Sequence, residues 1–118
     1  MVNTQDVVEI HDRIIHETGG HGGIVNYGNI DFAVQQANEA KDVHTKAARM
    51  LYGLIIDHGF VDGNKRTAYL STSALLRENG MKFIVSDEEI WKMIHKIAVG
   101  KVKVPEIINW IKKSVGKL

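Results

Sequence analysis

One run of eleven residues, His58 to Ala68, reads H-G-F-V-D-G-N-K-R-T-A and gathers an imidazole, a carboxylate, a Gly-Asn turn and two cations. His58 is a candidate general base for a hydroxyl, because imidazole changes charge near neutral pH. Asp62 is a candidate Mg²⁺ ligand, since in nucleotide sites that ion takes one or two carboxylates and leaves its other positions to phosphate and water oxygens. Gly63, Asn64, Lys65 and Arg66 then describe a phosphate cradle: a glycine that lets the backbone approach closely, free amides, and two positive side chains. Taken singly, each residue has a plainer reading. A histidine at a helix end is commonly a cap, an aspartate in a turn is commonly just that, and Lys-Arg pairs are usually solvated. Their co-occurrence is what points to chemistry, because a structural turn asks only for the Gly and the Asn.

The flanking sequence predicts how the run is held. Lys46 to Asp57 reads as a helix, with Gly59 suited to a left-handed exit from it. Phe60 is the apolar anchor of an otherwise polar loop. Asp62-Gly63 is a turn pair, Asn64 an N-cap, and Lys65 to Asn79 the next helix. Lys65 and Arg66 then fall in a first helical turn, where the helix dipole and the unpaired amides favour anions over cations. An anion is expected between them.

The run resembles the motif of the Fic/Doc family, H-x-F-x-[DE]-G-N-x-R, and matches it at every specified position. Residues 47–56, Thr67 to Gly80, Gly22-Gly23-Ile24 and Ala98 to Lys101 resemble the death-on-curing branch, named for the toxin Doc. The resemblance implies an all-α fold, His58 as general base, Asp62 as Mg²⁺ ligand, and a phosphate held at Gly63 and Asn64 with Lys65 and Arg66 neutralising its charge. It also implies that Gly22, Gly23, Ile24 and Val25 form a flap that aligns the target chain by edge pairing. Two positions depart from the adenylyl-transferring members, which usually have Gly where this chain has Lys65 and a second Arg where it has Tyr69. Doc shares both departures, and Doc is a kinase that phosphorylates elongation factor Tu. The expected function is therefore a toxin of a toxin–antitoxin system that moves the γ-phosphate of ATP, with Mg²⁺, to a hydroxyl of a translation factor. Adenylyl transfer is the second reading, and a non-catalytic binding module with the same fold the third. An antitoxin partner is expected, because the inhibitory pattern of self-restrained members, [ST]-x-x-x-E-[GN], is not in the sequence: Glu78-Asn79 has its ending, but Ala74 stands where Ser or Thr is required.

Composition excludes other classes. The chain has 118 residues and 44% hydrophobic content, enough for a core in a single domain. Fifteen basic and 14 acidic residues give a formal net charge of +1 and no broad basic field for nucleic acid. With no cysteine, neither disulfides nor thiolate metal sites are available, which fits a reducing cytoplasm. The amphipathic start M-V-N-T-Q-D-V-V-E-I lacks the apolar core of a signal peptide, and no run suggests a membrane span.

In chain order, Thr4 caps a predicted helix over Gln5 to Glu17 that ends at Gly19-Gly20. His11 and His16 lie five apart, off the four-residue spacing of a zinc pair, and read as ordinary surface or partly buried histidines. Gly19 to Gly28, with five glycines, is a loop or short hairpin. Asn29 to Lys41 is a short helix with Phe32 among its apolar contacts, and Asp42 to Thr45 a polar connector. Leu70, Ala74, Leu75 and Leu76 make the motif helix apolar. Met81 to Val85 is a brief extended piece too isolated for a sheet. Ser86 and Glu89 form a capping box for a helix to Val99 that Gly100 stops, and Pro105 opens the last helix. Trp91 and Trp110 are expected as core anchors. The predicted architecture is a compact all-α bundle of about six helices.

Overall fold

The computed structural model describes residues 1–118 and contains six helices and one small sheet. The helices are α1 (Thr4–Thr18), α2 (Tyr27–Glu39), α3 (Val43–Ile56), α4 (Asn64–Glu78), α5 (Asp87–Ala98) and α6 (Val104–Ser114). Strand β1 (Met81–Phe83) follows α4 and β2 (Val115–Lys117) follows α6. The expected all-α bundle of about six helices is what the chain forms, with the sheet added.

Helix α3 is the axis of the molecule. Ala47, Ala48, Met50, Leu51, Leu54 and Ile55 are buried along it, and it packs against α2, α4, α5 and α6. Small residues let α2 come close: a Cβ added at Gly53 would lie 2.7 Å from Ala33 Cβ. Because α3 is fixed by neighbours on several sides, the residues leaving its C-terminus, Asp57 and His58, start from a rigid point.

Three helices begin earlier than the apolar runs suggest, because side chains upstream cap them. Asn3, Asn26 and Asp42 accept hydrogen bonds from the amides of Asp6, Asn29 and Thr45 respectively. Thr4 is therefore not the cap of α1. It is buried, and its hydroxyl donates to Asp31 Oδ1 of α2 at 2.7 Å. Asp42 is likewise the start of α3 rather than part of a connector. Other expectations are corrected by burial. Phe32 is 57% exposed and Leu70 45% exposed, so neither is a core contact. The buried face of α4 is built instead from Thr67, Ala68, Ser71, Thr72, Leu75 and Leu76.

The piece Met81 to Val85 is not isolated. Met81, Lys82 and Phe83 pair antiparallel with Lys117, Gly116 and Val115, so the segment after α4 is pinned by the one after α6. Ser86 caps α5 by accepting from the Glu89 amide, and Pro105 lies in the first turn of α6, both as the sequence predicts. Trp110 is partly buried beside the core. Trp91 is exposed.

Candidate functional site

The motif forms the loop between α3 and α4 and the first turn of α4. Its backbone departs from expectation at the start. His58, not Gly59, takes the left-handed conformation, with φ +45°. Gly59 is needed for space: a Cβ there would lie 2.2 Å from Cγ1 of the buried Ile30. Phe60 is buried, as an anchor should be.

Asn64 does not cap α4. It is the first helical residue, and the capping position belongs to Gly63, at φ +78°, which has no side chain to offer. The Asn64 carboxamide reaches back instead. Its Nδ2 donates to the Phe60 carbonyl at 2.9 Å and its Oδ1 accepts from the Phe60 amide at 3.1 Å, which closes the loop on itself. Its side chain is thus spent on the fold, and its backbone amide is left free. The consequence is an open helix start: Thr67 N–H makes the first bond, to Gly63 O, while the amides of Asn64, Lys65 and Arg66 have no protein acceptor. No acidic residue sits in this first turn.

His58, Val61, Asp62, Gly63, Asn64, Lys65, Arg66 and Trp91 line one cleft of about 380 Å³. Every polar residue singled out in the motif is therefore brought to one place. Lys65 is exposed. Arg66 donates through Nη1 to the Thr18 hydroxyl at the end of α1, so the guanidinium bridges the cleft floor to that helix. Asp62 is held below the usual carboxylate range by the backbone amides of His21 and Gly63, which donate to it at 3.2 and 2.8 Å, and by the nearby Arg66. It is the one carboxylate lining the cleft. One ionised carboxylate, with phosphate and water oxygens completing the shell, is the kind of oxygen set that Mg²⁺ uses with nucleotides, so Asp62 fits that ion. No cluster of three or more His, Asp or Glu side chains offers an all-protein cage.

The glycine-rich segment lies along the motif. Val25 N–H donates to Gly59 O at 2.8 Å and Val61 N–H to Gly23 O at 3.1 Å, which makes Ile24 and Phe60 an antiparallel bridge. In a bridge flanked this way, the N–H and C=O of Ile24 itself point away from Phe60 and toward the open edge. Gly20 passes so near the motif that a Cβ there would lie 2.6 Å from Asp62 Oδ2.

One positioning residue was not foreseen. His11 on α1 is fully buried. Its ring stacks on Phe60 with centroids 3.8 Å apart and planes 8° from parallel, and its Nε2–H donates to the Asp62 carbonyl at 2.7 Å. Nδ1 faces Asp12 Oδ1 at 3.2 Å. His11 thus clamps both the anchor and the carboxylate residue of the loop. Its place on the apolar stripe of α1, one turn after Val7 and three residues before Ile14, was the signal available in the sequence.

A larger cavity of about 480 Å³ lies elsewhere, between α2, α3 and α6, with Phe32, Arg49, Tyr52 and Asp57 in its walls. Burial pushes the Asp57 carboxyl up, against the pull of His58. Arg49 is engaged with the Gln36 carbonyl at 3.0 Å. The motif cleft, though smaller, is where the reactive groups converge.

The chain belongs to the Fic/DOC family. The family's sequence profile matches residues 1–76, which include α1, the glycine-rich segment, the whole motif and most of α4. No curated protein matches the chain. Fic/DOC proteins are generally nucleotidyl- or phosphotransferases acting on proteins, with ATP as substrate and generally with Mg²⁺. No helix is long and apolar enough to cross a membrane.

Proposed function

We propose that this chain is a Doc-like protein kinase, transferring the γ-phosphate of ATP to a hydroxyl of a protein target, and that it acts as the toxin of a toxin–antitoxin pair. The observation that carries the choice of phosphorus is the pair Lys65 and Tyr69. Lys65 stands in the cleft where adenylyl-transferring members have Gly. Tyr69, where they have a second Arg, turns away from it: its hydroxyl donates to Asp87 Oδ1 at 3.3 Å and its ring packs on Phe83 and Trp91. No paired guanidinium contact to outer phosphates is available from that position. A nucleotide then enters with its terminal phosphate at the Gly63–Asn64 turn.

In this reading His58 takes the proton of the target hydroxyl as its oxygen forms the bond to the γ-phosphorus, and the bond from that phosphorus to the β–γ bridging oxygen breaks. ADP leaves. The free amides of Asn64, Lys65 and Arg66, with the Lys65 and Arg66 side chains, stabilise the charge spread over the transferred group. Mg²⁺, held by Asp62 and the phosphates, would supply further charge neutralisation. The open edge at Ile24, with Gly22, Gly23 and Val25 around it, lets a target segment add as a strand and bring its hydroxyl to His58. A translation factor such as elongation factor Tu is the proposed target, and an antitoxin segment over the cleft the proposed restraint.

ATP labelled at the α or the γ position separates the two chemistries. With a translation-factor mixture as acceptor, only the γ label should transfer. Transfer of the α label alone would establish adenylyl transfer, with pyrophosphate leaving, and Lys65→Gly with Tyr69→Arg should move the chemistry in that direction.

A further inference from the structure

Apart from Val61, the cleft lining described above is polar or glycine except for one residue, Trp91, which reaches it from α5. The placement is unusual for α5. That helix buries Ile90, Met93, Ile94 and Ile97, while Trp91, the largest side chain it carries, is 37% exposed.

Trp91 is also braced. The Tyr69 ring meets it edge to face at 5.7 Å and 76°, and Tyr69 packs in turn on Phe83 at 6.0 Å. Asp87, which accepts from the Tyr69 hydroxyl, lies one helical turn before Trp91, and Tyr69 lies one turn after Lys65. One side chain therefore ties the helix that carries the phosphate cradle to the helix that carries the indole, and sets the spacing between them.

We infer that Trp91 is the platform on which the base of a nucleoside triphosphate stacks, with the phosphates at the α4 start. The inference rests on the nucleotide reading of the cleft. A nucleotide presents two chemically distinct ends, a polyanion and a flat aromatic ring, and this cleft presents open amides with two cations at one place and a braced indole at the other. Base–aromatic stacking needs no hydrogen-bond code, since every base has a π-face. Selectivity for ATP among purine nucleotides is accordingly weak, and a pyrimidine with its smaller ring binds less well.

The test uses the full chain with Mg²⁺ and two probes of similar charge, ATP and inorganic tripolyphosphate, which lacks a base. Affinities by calorimetry are compared for the wild type, Trp91→Ala, Trp91→Phe and Lys65→Ala. Trp91→Ala should weaken ATP by about 5-fold to 150-fold, the span of one base–aromatic stack, and leave tripolyphosphate unchanged. Trp91→Phe should retain most of the ATP affinity. ATP should quench indole fluorescence more than tripolyphosphate does, and that difference should vanish in Trp91→Phe, which keeps Trp110. Equal weakening of both probes in Trp91→Ala would overturn the inference, as would unchanged ATP affinity. Lys65→Ala reports separately on the reading beneath it and should weaken both probes. If it weakens neither, the phosphate cradle is wrong whatever Trp91 does, and the absence of saturable ATP binding to the wild type would overturn both.

Discussion

Two helix starts in this molecule are built in opposite ways. At α5, Ser86 caps the Glu89 amide and Asp87, Glu88 and Glu89 fill the first turn with negative charge. That is how a helix start is stabilised. At α4 the cap is a left-handed glycine, the one residue that could cap is turned back to Phe60, and the first turn carries Lys65 and Arg66 with no acid. The molecule thus uses the stabilising arrangement about twenty residues away, and α4, beside His58 and Asp62, is the one helix that lacks both a side-chain cap and a first-turn acid. Open amides with two cations at a helix start are the arrangement that favours an anion over a fold-internal cap, and the loop before it is held by contacts from elsewhere: His11, the Asn64 bridge and the glycine-rich segment.

The largest effect expected from breaking this arrangement is on chemistry. His58→Asn removes the base but keeps a residue tolerant of left-handed backbone at φ +45°. Transfer should fall by about 10²–10⁴, with the melting temperature and circular dichroism spectrum unchanged. Wild-type rates in the folded variant would remove His58 from the mechanism.

Exchanging charge between the two starts sharpens the comparison. Lys65→Glu puts an acid where the dipole favours it and should stabilise the fold by about 0.3–1 kcal/mol in denaturant titrations while abolishing triphosphate binding. Glu88→Lys at α5 should cost a similar amount of stability and leave binding alone. Triphosphate binding retained in Lys65→Glu would show that the α4 start is an ordinary one.

The clamp from α1 comes next. His11→Leu keeps an apolar filler but loses the bond to the Asp62 carbonyl, and His11→Gln keeps a donor while losing the stack on Phe60. His11→Leu should destabilise by roughly 1–3 kcal/mol, the usual cost of a buried polar group left unsatisfied, and His11→Gln by about 0.5–1.5 kcal/mol, the worth of the lost stack. In transfer assays, the Mg²⁺ concentration for half-maximal rate should rise more in His11→Leu than in His11→Gln, because only the former frees the Asp62 backbone. A purely structural His11 would shift melting temperature and leave that Mg²⁺ dependence where it was.

The motif was legible because its chemistry is contiguous: His58 to Arg66 form one run, and no long-range packing is needed to see it. The helices were legible through their apolar periods, yet their starts were read late because Asn3, Asn26 and Asp42 cap from outside those periods. What was missed is non-local. His11 meets Asp62 across 51 positions. Strand β1 waits for a partner that follows α6 without a loop, so a three-residue strand beside a helix gave no separate signal. Trp91 was misplaced because a tryptophan on an amphipathic helix reads as core, and only the packing of Tyr69 shows which side of the stripe it occupies. Gly59 was assigned to the right place for the wrong reason, a close contact rather than a left-handed turn.

The smallest effect expected separates two carboxylates that obey the same electrostatics for different ends. Asp42, the cap of α3, is held below the usual carboxylate range by the Thr45 amide and hydroxyl, and Asp62 by the His21 and Gly63 amides. For each, the folded protein favours the charged form, so it binds fewer protons than the unfolded chain. The stabilisation is fully present above the unfolded value of about 3.9 and is lost as pH falls through the lower folded value. Asp42→Asn and Asp62→Asn should therefore both make the fall in stability on acidification below about pH 4 shallower, as followed by melting temperature against pH. Asn caps a helix about as well as Asp, so Asp42→Asn should cost little at neutral pH and leave transfer intact. Asp62→Asn should cost transfer as well, and the loss should persist at pH 7, where acid stability is not in play. If Asp62→Asn changes only the acid limb, its carboxylate belongs to the flap contact with His21 and not to the reaction.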